Sequence, residues 1–120
     1  MKEIIIIGGG IAGLINAILL SRDGIQVTVY EKKEYPFHRV CGEYISNEVV
    51  PFLKREGLYP SELDLPQISK FQLTSIKGKS FQTNLDMGGF GISRFYLDNF
   101  LKNKALESGA TIIEKTSVTA

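Results

Sequence analysis

The chain has 120 residues, 43% hydrophobic and 22% charged, which is ordinary globular composition and enough for one modest core. Its 14 basic and 13 acidic residues leave a formal net charge of +1 with no basic block, which argues against nucleic acid as a partner. Cys41 is the single cysteine, so no disulfide framework and no cysteine-built metal site is expected, and the chain suits a reducing, cytoplasmic compartment.

Residues 4–20 are uncharged and mostly apolar, close to the length of a membrane span. Gly8, Gly9 and Gly10 interrupt the run where a membrane helix would lose propensity and a strand-to-helix turn would gain freedom. No transmembrane segment is expected, and peripheral contact with a membrane stays open. Glu3 and the four isoleucines after it predict a parallel strand over 3–7, covered on both faces. A helix follows from Ile11 to Arg22, with Gly24 placed to end it in a left-handed conformation. Residues 25–30 alternate, with Ile25, Val27 and Val29 on one side, and the strand ends in Glu31.

Residues 32–45 are polar, contain Pro36 and Gly42 and have no clean period, so they read as a long loop facing a ligand. Ser46 or Asn47 caps a helix running to Glu56, Pro51 falls in or near its first turn, and Gly57 closes it. Two strands over 68–84 flank Lys77-Gly78-Lys79 as a hairpin, and a separate short strand is expected over 89–93. Leu97, Phe100, Leu101, Ala105 and Leu106 recur at near-helical spacing over 95–108, with Gly109 as the stop. A buried strand over 111–114 comes next. Residues 117–120 open a further strand that no turn residue finishes, so the chain is expected to be a truncated piece.

Gly8-Gly9-Gly10-Ile11-Ala12-Gly13 satisfies G-x-G-x-x-G, and it follows a strand and opens a helix, which is the context that gives the pattern meaning. Gly8 is expected to allow the tight turn, Gly10 to let a pyrophosphate approach the backbone, and Gly13 to let the helix pack close to the sheet. The N–H groups of the first turn, Ile11 and Ala12 among them, and the positive end of the helix dipole would hold the phosphates. Glu31 lies eighteen residues beyond Gly13, at the end of the second strand, where it can accept hydrogen bonds from a ribose hydroxyl pair and would repel a 2′-phosphate. The plain alternative is a flexible turn and a solvated strand end.

Segment 8–31 resembles the extended FAD fingerprint of flavoproteins with two dinucleotide-binding domains, with Ala17, Leu20, Gly24, Val27 and Glu31 in matching positions. Most of these also have a role in the fold itself. Ala17 keeps the helix close to the sheet, Leu20 enters the core, Gly24 ends the helix and Val27 lies in the second strand. Arg39-Val40-Cys41-Gly42-Glu43-Tyr44-Ile45-Ser46 is similar to the flavin-contacting loop of the geranylgeranyl reductase branch of the para-hydroxybenzoate hydroxylase-like superfamily. Gly91-Ile92-Ser93-Arg94 followed by Leu97-Asp98-Asn99-Phe100-Leu101 resembles that superfamily's strand-and-helix segment, in which an arginine reaches back to the cofactor. The resemblance implies FAD contacts from Ala12, Glu31, Cys41, Gly42 and Arg94, and a backbone contact to adenine near Val118.

On their own chemistry these residues have further readings. Arg94 is either a solvated arginine at a helix start or a fixed guanidinium pairing with the pyrophosphate. Arg39 is either a solvated loop residue or a cofactor contact, and Cys41 has no base in view to make it a thiolate. His38, the only histidine, has no carboxylate or hydroxyl partner in view and reads as noncatalytic; no catalytic residue is named.

The expected fold is therefore α/β, a Rossmann-like FAD/NAD(P)-binding βαβ domain with an inserted β-hairpin, truncated before the substrate domain and the second FAD segment. The expected function is the FAD-binding portion of a flavin-dependent oxidoreductase, a monooxygenase or a carbon–carbon double-bond reductase, inactive as the isolated piece. NAD(P)H is a candidate electron donor and an aromatic or isoprenoid small molecule a candidate substrate. The rival readings are a nucleotide-binding module without catalysis and an NAD-dependent enzyme.

Overall fold

The computed structural model describes residues 2–119 and divides into two compact units. The first is built from the chain up to Val40 and again from Ser93 onward; the second spans Cys41–Ile92.

In the first unit, strand β1 (Glu3–Ile7), helix α1 (Ile11–Arg22) and strand β2 (Gln26–Tyr30) form the expected βαβ, and helix α3 (Arg94–Glu107) leads into strand β6 (Thr111–Ile113). The sheet runs β1-β2-β6 and is parallel throughout, with Ile4 opposite Val27 and Val29 opposite Ile112. In central β2, Val27 and Val29 are fully buried; Leu14, Ala17 and Ile18 of α1, Leu97, Leu101 and Ala105 of α3, and Tyr35 and Ala110 are, among the described residues, the other buried apolar side chains of this unit. Gly24 takes φ +79° and ends α1 as predicted. Leu20 does not enter the core: it is only half-buried, because the helix stripe that meets the sheet is Leu14, Ala17 and Ile18.

The first strand is also not covered on both faces. Ile6 faces α1, close to Gly13, while Ile5 and Ile7 on the other face are 58% and 68% exposed. Helix α1 covers one side of this edge strand, and no layer among the described residues covers the other.

In the second unit, β3 (Tyr44–Ser46) leads through a 3₁₀ turn (Asn47–Val49) into the short helix α2 (Val50–Arg55), and β4 (Gln67–Thr74) pairs with β5 (Ser80–Gly91). The helix expected over 46–56 thus begins as a 3₁₀ turn, capped by Ser46, whose Oγ accepts from Glu48 N at 3.5 Å. Pro51 sits in the first turn of α2, and Gly57 closes it at φ +68°. The hairpin forms around the predicted turn, but the separate strand expected over 89–93 is the far end of β5. A register shift between Ile68 and Lys70, with Gly88 at φ +66°, lets β5 continue past a point that reads as a break. Its last residues pair antiparallel with β3, a three-residue strand that overlaps the end of the segment predicted as loop and is too short to show a period. The strand expected over 117–120 is absent at 117–119, which pair with no neighbouring strand, and β-branched residues do not make a strand without a ladder. Ala120 lies outside the described residues.

Candidate dinucleotide site

Where β1 gives way to α1, the chain turns at Gly8 with φ +98°, a conformation that side-chain-bearing residues rarely adopt. A Cβ at Gly13 would overlap the Gly8 carbonyl oxygen, so glycine there lets the first turn of the helix sit against the strand end. Gly10 differs. It has extended backbone at φ −80°, and the nearest atoms a Cβ on it would meet are those of the Arg94 and Arg39 guanidinium groups, with nitrogens at 3.7 and 3.8 Å, ordinary contact distances. Nothing in the fold of this unit forbids a side chain at position 10.

Gly10 is also the N-cap of α1, and it provides no side-chain cap; the first turn contains no acidic residue. The N–H groups at this end therefore have no side-chain acceptor from the cap, and they carry the positive end of the helix dipole. A cleft of about 280 Å³ opens at this mouth, lined by Gly8, Gly10, Tyr30, Glu31, Arg39 and Val118 among others. Ile11 is half-buried and Ala12 exposed on the first turn.

Glu31 is not a solvated strand end. It is 4% exposed, its Oε2 accepts from Gly9 N at 2.8 Å and its Oε1 from Lys33 N at 3.0 Å. A carboxylate oxygen accepts more than one hydrogen bond, so Glu31 can hold the glycine turn and still accept from a group in the cleft. The other side of Gly9 is held by Tyr35, whose hydroxyl donates to the Gly9 carbonyl. A Cβ on Gly9 would overlap that hydroxyl, so a side chain at the variable position of the motif would have to displace Tyr35 from the Gly9 carbonyl. Burial first, then the neighbouring Glu31 and Asp98 carboxylates, push the Tyr35 phenol well above its usual range and keep it a donor.

Segment 114–118 reaches the cleft by clinging to the loop after β2. Thr116 N donates to Glu31 O at 3.0 Å, Lys115 N to Lys33 O at 3.2 Å, and Tyr35 N to Glu114 Oε1 at 3.2 Å. These bonds bring Val118, half-exposed, to the cleft wall.

The two arginines singled out in the sequence meet at one residue that has no role in the sequence reading. Asp98, 1% exposed on α3, accepts from Arg39 Nε at 2.7 Å, from Arg94 Nε at 2.7 Å and from Arg94 Nη2 at 3.1 Å. Arg39 Nη2 also lies 3.5 Å from Glu31 Oε2, and its guanidinium sits over the Phe37 ring at 4.6 Å. Neither arginine is a loosely solvated surface residue. The detectable signal is the Arg94–Asp98 spacing of four on a predicted helix, which puts both on one face; Tyr35 leaves no signal.

Gly8, Gly10, Glu31, Arg39, Arg94 and Val118 thus gather at one helix mouth in the first unit. Cys41 and Gly42 belong to the second unit, where both are exposed and Cys41 Sγ accepts from Glu43 N at 3.3 Å. His38 stacks on the Phe95 ring at 4.6 Å.

A parallel strand, a glycine turn at an uncapped helix N-terminus, and a buried acidic residue ending the next strand define a Rossmann-type dinucleotide-binding unit. Among known families, the FAD binding domain family matches residues 1–120. The chain belongs to that family. It is 30% identical over 129 residues to the flavin-dependent halogenase armH4 of Armillaria mellea, covering 97% of this chain and 24% of the halogenase. It is 28% identical to the uncharacterized protein Mbar_A1602 of Methanosarcina barkeri (strain Fusaro / DSM 804), covering 98% of this chain and 30% of that protein. Among solved structures, CmlS, a flavin-dependent halogenase, superposes with a TM-score of 0.79 at 26% identity, over 100% of this chain and 24% of its own. The chain therefore spans about a quarter to a third of the length of these relatives. Among the described residues, no helix is long and apolar enough to cross a membrane.

Proposed function

We propose that this chain holds the ADP half of FAD at the mouth of α1, as the N-terminal part of a flavin-dependent oxidoreductase. The observation that carries the reading is Gly10. Gly8 is explained by its positive φ, Gly9 by Tyr35 and Gly13 by the Gly8 carbonyl, whereas the missing side chain at Gly10 has no explanation within this unit. A diphosphate seated there would supply one: a Cβ at position 10 would fill the space that its oxygens need to reach the first-turn N–H groups of Ile11, Ala12 and Gly13. In this reading Glu31 accepts from the ribose hydroxyls, Arg39 and Arg94 face the diphosphate, and Val118 lies against adenine. Cys41 and Gly42 approach the flavin.

When bound, the flavin supplies the redox chemistry, and the residues here bind and orient it. The rest of the polypeptide is proposed to carry the substrate domain and the second FAD segment. The flavin-dependent halogenases that match nearly the whole chain favour flavin redox chemistry; that a reduced flavin works with oxygen on a small aromatic molecule, with NAD(P)H as the source of electrons, is our proposal. Reduction of a carbon–carbon double bond in an isoprenoid is the second reading, and the loop over 39–46 favours it.

The test uses the full-length protein. It should purify with visible flavin absorbance, and Gly10→Ala should be colourless while melting within a few degrees of the unliganded parent. A colourless parent that takes up NADH but not FAD would overturn the proposal.

A further inference from the structure

One buried carboxylate serves two arginines at this mouth. Arg39 comes from the loop after β2 and Arg94 from the first turn of α3, fifty-five residues apart in the chain. Their Nη2 atoms nevertheless lie 3.8 and 3.7 Å from the same point, the place a Cβ of Gly10 would occupy. Two guanidinium groups brought this close repel each other unless a negative charge lies between them. Asp98 provides it, through short bonds to both Nε atoms and a further bond to Arg94 Nη2.

We infer that Asp98 is a positioning residue for diphosphate recognition. It aims the Arg39 and Arg94 guanidiniums at the space over Gly10 and offsets their mutual repulsion, so that a diphosphate meets two fixed cations as well as the helix N-terminus. The inference rests on the dinucleotide reading above and adds to it the residue that sets the phosphate end of the site. Three features support it. Asp98 is almost fully buried, its acceptor capacity is directed at these two side chains, and its fork with Arg94 fixes the plane of that guanidinium. Arg39 is additionally held by Glu31 on its other side, so the chain Asp98, Arg39, Glu31 links the phosphate end of the cleft to the ribose end.

The experiment measures binding of ADP and of adenosine, as separate probes, to the full-length protein stripped of cofactor. Asp98→Asn keeps the shape but cannot accept from both arginines in the same way, because one of its two polar atoms becomes a donor. Expected is a loss of ADP affinity of about 10- to 100-fold, the range for charge-assisted hydrogen bonds, with adenosine affinity changed less than about twofold. Asp98→Glu should recover part of the loss. Equal weakening of both ligands would make Asp98 merely structural and overturn the inference, as would an unchanged ADP affinity. Should Asp98→Asn fail to fold, Arg39→Gln, which leaves the Arg94–Asp98 fork in place, must show the same selective loss of ADP; unchanged ADP binding there also overturns it. A parent protein that binds neither FAD nor ADP would instead sink the dinucleotide reading itself.

Discussion

Gly9 is gripped from both ends, with Glu31 accepting from its N–H and the Tyr35 hydroxyl donating to its carbonyl. That grip fixes the orientation of the turn before any ligand arrives, which lowers the ordering cost of binding. Tyr35→Phe would leave the Gly9 carbonyl without this donor, at a cost of about 1 kcal/mol at neutral pH. The pH dependence follows from the raised phenol pKa, which comes from burial and from nearby carboxylates. The folded state favours the protonated phenol, so the stabilisation is complete below the ordinary tyrosine pKa of about 10 and drains away above it, as the unfolded chain ionises first. Urea titrations of parent and Tyr35→Phe should differ by a constant amount up to about pH 9, and above about pH 10 the parent should lose its advantage, and then fall below the variant, while Tyr35→Phe shows no such loss. A gap that stays constant throughout would mean that the phenol is not shielded. Tyr35 is invisible in the sequence because a loop tyrosine has no periodicity and its partner is a backbone atom twenty-six positions away. Gly8, Gly10, Gly13 and Glu31 are legible because their spacing alone dictates where a strand end, a helix start and the next strand end must meet.

Among the elements, the joint between β1 and α1 is set by a contact of backbone with backbone. A Cβ on Gly13 would collide with the Gly8 carbonyl oxygen and press on Ile6. Alanine in a helix interior is worth about 1 kcal/mol over glycine, whereas overpacking costs roughly 1–3 kcal/mol. Here the colliding atom is main chain and cannot rotate away, so the clash should win. Gly13→Ala in the full-length protein is expected to lower the melting temperature by several degrees, with or without FAD present. Gly10→Ala should lose the flavin and keep its melting temperature in the unliganded form, so the two substitutions separate folding from binding. An unchanged melting temperature for Gly13→Ala would show that the helix can slide outward at little cost. The elements of the first unit are readable because β1, α1, β2 and α3 each combine a clear residue pattern with a glycine stop or an acidic end. In the second unit a strand near 89–93 is legible, but its continuity with the hairpin and its pairing with β3 are not, since the bulge at Gly88 and the three-residue partner are decided by pairing between distant segments.

On the scale of the whole molecule, β1 carries apolar side chains on two faces while α1 meets only the face that holds Ile6. Ile5 and Ile7 stay mostly exposed, and in the second unit Leu73 and Phe81, opposite one another on the hairpin, are likewise 62% and 61% exposed. A strand of consecutive isoleucines is the pattern of a sheet covered on both sides, which is what the sequence predicts for β1. The relatives that match this chain are three to four times its length, so there is further polypeptide in them to supply a second layer. We expect the full-length protein to bury the Ile5 face under chain beyond this segment. Ile5→Glu distinguishes the alternatives. On a face that remains open, the substitution should change stability by no more than about 0.5 kcal/mol, as surface substitutions usually do. On a covered face it forfeits about 1.5–3 kcal/mol of apolar burial and adds the cost of an unpaired buried charge. Urea unfolding of the full-length variant should therefore show a loss above about 2 kcal/mol. A loss within the surface range would mean that β1 keeps its exposed isoleucines, and that the covering layer inferred from the doubly apolar strand does not exist.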